Sequence, residues 1–340
     1  MSATKTLRAL LKRHQESDLV RYNVAHNHAP MVLIALYRLG ADEDQLRRYY
    51  DSLQTDTPTI ESASPQAPPI VAAHWTKRLG DFDACGVYCR FFKSEIDQRG
   101  VEAVLRSYVC RLMTGVAAHA FHPLLRLGYG IDLMDHDEIA LALGYWAATY
   151  LPAPEISASR ADTGPIDLLK TLVKSASLRA ITPESRSIAA RIGEFYSHED
   201  FRNLLRPIRF EAQRPLQEMS LAIAEAFVEN HHFTMLHGVT GCHALRLILP
   251  YCDNLQRVIS EYWYAICATY LSVVNLSADM HCALPANDAG WPRIQAQAIA
   301  TGVEHTVKLT YTCLKETEEY DRDVYRRLAL RELGVSAPFF

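Results

Sequence analysis

The sequence lacks the short motifs that mark most nucleotide-dependent and hydrolytic enzymes. It has no GxxxxGK[ST] loop to cradle a phosphate, no complete GxGxxG after a strand, no GxSxG nucleophile elbow and no HExxH metal helix. It has no sustained alternation of apolar and polar residues and no Asn-Gly hairpin signal, which removes sheet-based folds. No Cys-x-x-Cys pair occurs among the eight cysteines at 85, 89, 110, 242, 252, 267, 282 and 313, so reduced, buried thiols are expected rather than disulfides. No run of basic residues occurs, and 35 Lys and Arg against 39 Asp and Glu leave a net charge of −4, which argues against a nucleic-acid partner. The most apolar long stretch, 262–276, is too short for a membrane span. Leu7, Leu10 and Leu11 make the first residues amphipathic without the apolar core of a signal peptide, so the expected location is the cytoplasm.

Helical spacing fills the rest of the 340 residues. Met31, Leu33, Ile34, Leu36 and Leu39 form an apolar face that stops at Gly40, and Asp42 opens a new helix. Residues 101–121 read as one long helix, broken near His122 by Pro123. Leu127-Gly128-Tyr129-Gly130 reads as a turn, and Thr182-Pro183 as a helix start. Residues 54–70 and 151–165 are rich in Pro, Ser and Thr and read as irregular connections, and Asn275-Leu-Ser277 is a chance glycosylation sequon in a helix. The expected fold is a single all-α domain over 1–340, of ten to fourteen helices, with a buried metal site between helices.

Histidines are what this sequence has in quantity, and they stand among small and apolar residues. Four lie in Asn230–Arg246 alone (231, 232, 237 and 243), with glycines at 238 and 241 that permit a close approach to the backbone. His26 and His28 precede the helix at Met31, His119 and His122 fall three apart on one helical face, and His305 stands three residues before Lys308. The histidines at 14, 74, 136, 198 and 281 read as surface residues. A single histidine on an apolar face is usually a satisfied core residue. Four helices each contributing one is a different matter, because the buried ring nitrogens then need a shared partner. Imidazole-rich ligation suits iron, zinc, copper or nickel. Lys308, between Val307 and Leu309, either reaches water with its ammonium or has a depressed pKa; a neutral lysine takes up carbon dioxide to form a carbamate ligand. Glu304, next to His305, is expected to face elsewhere on the helix.

NHAPM, HPLLRLGYG, MLHGVTGCHALR and EHTVKL, in that order between residues 26 and 309, resemble the questin oxidase-like family. The resemblance implies an oxygenase of aromatic polyketide chemistry related to anthraquinone ring-cleaving enzymes, with non-haem iron held by four histidines and a carboxylated lysine. Carried onto this chain, it implies Fe(II) on His28, His122, His237, His305 and Lys308, with dioxygen and a small aromatic molecule as partners and NADPH as an optional electron donor. His26, His119, His243, Tyr129, Phe233 and Tyr311 are then expected around the ligands or the substrate. Trp146 and Trp263 are further candidates for a pocket wall, although large aromatics are mostly core. Two other readings keep the same residues: a zinc or nickel hydrolase with a carbamylated lysine, and a non-catalytic helical binding protein. Oligomeric state is not legible.

Overall fold

A computed structural model of the chain describes residues 2–18, 21–22, 24–53, 60–61, 68–156, 163–185, 187–210, 214–229, 232–274 and 289–334. Among these are seventeen α-helices, more than the periodicity alone separates. They are α1 (Ala3–Asp18), α2 (Val24–Leu39), α3 (Glu43–Ser52), α4 (Cys85–Arg99), α5 (Val101–Leu112), α6 (His122–Leu133) and α7 (His136–Ala148). Then follow α8 (Pro165–Lys174), α9 (Ala176–Arg179), α10 (Ile188–Ser197), α11 (Glu199–Leu204), α12 (Pro215–Glu229) and α13 (Phe233–Ile248). The last four are α14 (Leu255–Val274), α15 (Trp291–Thr301), α16 (Glu304–Tyr320) and α17 (Asp323–Gly334). Among the described residues, extended structure is limited to a two-residue antiparallel pair, Arg21–Tyr22 with Ile60–Glu61, and one parallel bridge between Thr163 and Ile208. The chain is all-helical, and no described helix is long and apolar enough to cross a membrane. No disulfide joins the seven described cysteines to one another.

Four helices, α2, α6, α13 and α16, run side by side in the same direction. At one end the rings of His28 and His122 stack with centroids 4.7 Å apart, and His305 and His237 stand against them. About three turns later along α2 and α6, and about two along α13 and α16, Arg38 donates to Asp132 at 2.9 Å, Tyr311 donates to Asp132 at 2.9 Å, and His243 packs edge-on against Tyr311. The amino-terminal ends of all four helices therefore meet in one region. Side chains of one helix can approach another this closely because of small residues. A Cβ built on Gly128 would stand 2.7 Å from Cβ and 2.8 Å from Cα of Ala244 on α13. The GYG segment is thus not a turn but the contact face of α6, selected for close packing rather than for chain reversal. On the other side of α13, Tyr262 of α14 lies over Gly241 and donates to the carbonyl of Gly238 at 2.6 Å, which accounts for Gly241, while a Cβ at Gly238 would stand 2.9 Å from Ile266 of α14 and 3.2 Å from Ile223 of α12.

Several expectations need correction. The helix expected over 101–121 ends at Leu112 and is followed by two short 3-10 turns, because His119, Ala120 and Phe121 take left-handed conformations (φ 38°, 56° and 67°). Pro123 then sits in the first turn of α6, where its missing N–H costs nothing. Helix α2 begins at Val24, so His28 lies within it and Pro30 is inside it. Thr182-Pro183 is not a helix start: Ser187 caps α10 instead. His14 is buried, on the same face of α1 as Leu7, Leu10 and Leu11. Residues 151–156 are irregular as expected; most of 54–70, the rest of the second connection up to residue 162, Asn275–Ser277, His231, His281 and Cys282 lie outside the described residues, as does the His26 side chain.

Gly128→Ala is expected to destabilise the fold by about 2 kcal/mol, since an added methyl meets backbone on α13. Ala244→Gly in the same chain should recover part of the loss, as read by denaturant unfolding midpoints.

Candidate metal centre

The sequence-predicted ligands arrive from four different helices: His28 near the start of α2, His122 as the first residue of α6, His237 on the second turn of α13, and His305 as the second residue of α16. One ring nitrogen from each of His28, His122 and His305 lies within 4.8 Å of the others. The His237 ring is 4.9 Å from that of His122 and 5.5 Å from that of His305. Lys308 follows one turn after His305 and is 1% exposed. Its charge depresses the pKa of all four imidazoles, so the amine faces the same buried region.

Hydrogen bonds fix which nitrogen of each ring faces inward. Nδ1 of His28 is 2.6 Å from Glu304 Oε2, Nδ1 of His122 is 2.5 Å from the His119 carbonyl, and Nδ1 of His237 is 3.1 Å from the Phe233 carbonyl. Carbonyls and an ionised carboxylate only accept, so each of these rings donates from Nδ1 and turns a bare Nε2 inward. Nε2 of His28 and Nε2 of His122 then face each other at 2.6 Å. Two lone pairs at that distance repel unless a cation, or a proton on one ring, lies with them. Burial pushes both rings away from the protonated form, and the Lys308 charge pushes further in the same direction. Nε2 of His237, Nε2 of His305 and Nζ of Lys308 are buried without a hydrogen-bond partner. Such orphaned groups are costly in a core unless something shared satisfies them. Converging neutral imidazole lone pairs are the donor set of a transition metal, and the residues fit one.

Electrostatics around the centre favour anions and neutral groups. Four helix amino termini contribute partial positive charge there. Burial, chiefly, draws the Lys308 pKa from its ordinary value of 10.5 to about 8, with Glu304 opposing. His237 falls to about 3, again through burial first and the Lys308 charge second. An ammonium is therefore poorly tolerated at this position, and a neutral amine or an anionic derivative of it is better accommodated.

Of the surrounding residues expected from the sequence, Phe233 lies at the centre: its ring packs edge-on against His237 at 4.9 Å and His305 at 4.6 Å. His119 does not share a helical face with His122. Its left-handed backbone turns its ring away to Tyr145, 2.8 Å from Nδ1, and its contribution to His122 is the carbonyl. His243 stands apart as well. Arg246 donates to its Nδ1 at 3.1 Å, so it has the opposite tautomer to the inward-facing rings, and it packs on Tyr311 instead. Tyr129 and Tyr311 are buried with centroids 5.8 Å apart, further along the helices. Trp146 and Trp263 are core residues: their indole N–H groups donate to the carbonyls of Gly115 and Pro165. Glu304 was expected to face away, yet it bonds His28 and accepts from Tyr49 at 3.2 Å. What sequence reading missed is that α2 packs along α16, so that a residue beside His305 meets a different histidine.

Comparison with known proteins agrees with the motifs. The profile of the questin oxidase-like family matches residues 25–313. The chain belongs to that family. A Baeyer–Villiger oxidase of Paecilomyces divaricatus is 25% identical over 209 residues, 57% of this chain and 42% of that protein. A Baeyer–Villiger oxidase of Emericella nidulans is 30% identical over 159 residues, 43% of this chain and 35% of its own length. The questin oxidase of Aspergillus fumigatus is 30% identical over 140 residues, 37% of this chain and 30% of that enzyme. The chain thus spans well under half the length of these relatives.

Burying Lys308 with its pKa near 8 costs the metal-free fold about 3 kcal/mol below pH 8, because the unfolded chain binds the proton more tightly. This cost fades as pH rises from about 8 to 10.5, where the unfolded lysine also loses its proton. Metal-free Lys308→Met is therefore expected to be more stable than metal-free wild type at pH 7, with the gap closing above pH 10 in urea melts.

Proposed function

We propose that the chain is a non-haem iron oxygenase that inserts oxygen into an aromatic or quinone-like small molecule and cleaves one of its rings. The observation that carries this reading is the convergence of imidazole nitrogens from four helices on one buried region, with Nε2 of His237, Nε2 of His305 and Nζ of Lys308 left without a partner, in a chain of the questin oxidase-like family. Bound by His28, His122, His237, His305 and Lys308, iron(II) supplies the activation of dioxygen that no side chain here performs.

The protein's own residues do the rest. The carbonyls of His119 and Phe233 and the carboxylate of Glu304 hold three rings in the tautomer that offers Nε2 inward. Lys308, its pKa drawn down to about 8 by burial and its neutral fraction raised accordingly, attacks carbon dioxide through the neutral nitrogen and releases a proton to solvent; the resulting carbamate provides the anionic oxygen that the set of imidazoles lacks. The amino termini of the four helices favour that anion over an ammonium. The Phe233 ring shields the His237 and His305 edges from water. A monooxygenase outcome consumes two electrons from an external donor, for which NADPH is the candidate, whereas a dioxygenase outcome consumes none.

The test is elemental analysis of the purified protein followed by oxygen uptake. About one iron per chain is expected, lost in His237→Ala and in Lys308→Ala, with uptake stimulated by hydroxylated anthraquinones. The ratio of oxygen to NADPH consumed then separates the two oxygenase outcomes. Stoichiometric zinc or nickel would favour the hydrolase reading, and a folded chain that stays metal-free after anaerobic iron loading would end the metal reading altogether. A second expected outcome concerns the carbamate: added bicarbonate should raise iron occupancy in wild type and leave Lys308→Ala unchanged, as measured by chelator competition.

A further inference from the structure

Three of the four histidines at the centre have Nδ1 occupied, and they are not occupied alike. His122 and His237 bond main-chain carbonyls, which no substitution removes and which carry no net charge. His28 alone bonds a side chain, and that side chain is a carboxylate. Glu304 is the first residue of α16, adjacent to His305 and one turn before Lys308, so the helix that brings two of the proposed ligands also reaches across to α2. Its other oxygen accepts from the Tyr49 hydroxyl of α3 at 3.2 Å, which pins the carboxylate from the far side. Both partners are in the protein interior: the His28 side chain is 8% exposed and Tyr49 is 7% exposed.

We propose that Glu304 is a positioning residue that acts through His28, its carboxylate braced by Tyr49, holding the ring with Nδ1 protonated and Nε2 presented to the centre. A carboxylate in this place also makes the imidazole a stronger donor than the two rings bonded to carbonyls. His28 is then the most electron-rich of the four, and Glu304 adds an anion beside four helix amino termini, where negative charge is favoured. The inference rests on the reading of the centre as a metal site, and its test separates the two.

The experiment uses the full chain in four forms: wild type, Glu304→Ala, Glu304→Gln and Tyr49→Phe, each checked for folding by circular dichroism. Nitrogen-15 spectra of labelled histidines report the His28 tautomer without reference to metal. Wild type and Glu304→Gln, whose amide carbonyl still accepts, are expected to show Nδ1–H at His28, and Glu304→Ala to lose it. Anaerobic iron(II) titration against a chelator should show Glu304→Ala weaker by 10–100-fold, Glu304→Gln in between and Tyr49→Phe nearest to wild type. In a His28→Ala background, Glu304→Ala should cost nothing more, because it acts through the ring already removed. An unchanged His28 tautomer in Glu304→Ala, or a loss of affinity that adds fully to that of His28→Ala, overturns the proposal. If wild type binds no iron at all, the metal reading fails, and the tautomer spectra still decide whether Glu304 sets the ring.

Discussion

Everything in this fold is arranged around the burial of four imidazoles and an amine where four helix amino termini meet. Each buried polar nitrogen without a partner costs on the order of 1–3 kcal/mol. Main-chain carbonyls and Glu304 relieve that cost on the outward side of three rings. Nothing among the described residues relieves it on the inward side of His237, His305 and Lys308. Protonation offers no escape, because burial and the neighbouring helix ends both disfavour the cation. A shared partner at the point of convergence is the arrangement that satisfies all of these nitrogens together.

Bringing four amino termini to one place dictates the rest of the architecture. Neighbouring helices that run parallel cannot be joined by tight turns, so each link must travel the length of the bundle and return. The helices α3 to α5 lie between α2 and α6, α7 to α12 between α6 and α13, and α14 and α15 between α13 and α16. Those crossovers supply the helices that pack on the outside of the bundle. Parallel dipoles repel one another, and charges at the far ends offset this: Arg38 stands in the last turn of α2 and Arg246 in the last turn of α13. Both are tied down, Arg38 to Asp132 and Arg246 to the buried Glu316, which Ser220 also meets.

The all-helical class was legible in the sequence because periodicity is a local signal, whereas the choice of His28, His122, His237, His305 and Lys308 among the many histidine-rich segments came from the family resemblance; the structure brings those four rings together. Periodicity marks a helix, and a histidine among alanines and leucines marks a buried ring. What escaped notice depends on how helices pack. The spacing of His119 and His122 predicts one face, but three left-handed residues turn the two rings apart. His243 shares a helix with His237 and resembles it in context, yet six residues at 100° each send it to another side of α13, where Arg246 and Tyr311 wait. Gly128 and Gly130 look like a turn because glycine in a sequence does not distinguish a bend from a close contact. Glu304 is the sharpest case, since its partner lies 276 residues away and no local rule connects them.

The left-handed run at His119–Phe121 shows how much the fold spends on orientation. Residues other than glycine pay roughly 1–2 kcal/mol each for this conformation, and here three occur in succession immediately before a proposed ligand. A continuous helix through 101–133 would avoid that cost, and the sequence up to Leu112 is ready to form one. It would also commit the His119 carbonyl to the helix ladder. With the ladder broken, the His119 carbonyl takes both the backbone N–H and Nδ1 of His122, and α6 begins afresh with His122 at its first position, beside Pro123. Strain of this kind persists where surrounding structure overrides it, and such places cluster at functional sites. For His122 the backbone does what the Glu304 side chain does for His28, and the two rings arrive with Nε2 facing Nε2. A fold that needed these histidines only as packing would have no reason to orient both lone pairs toward the same point.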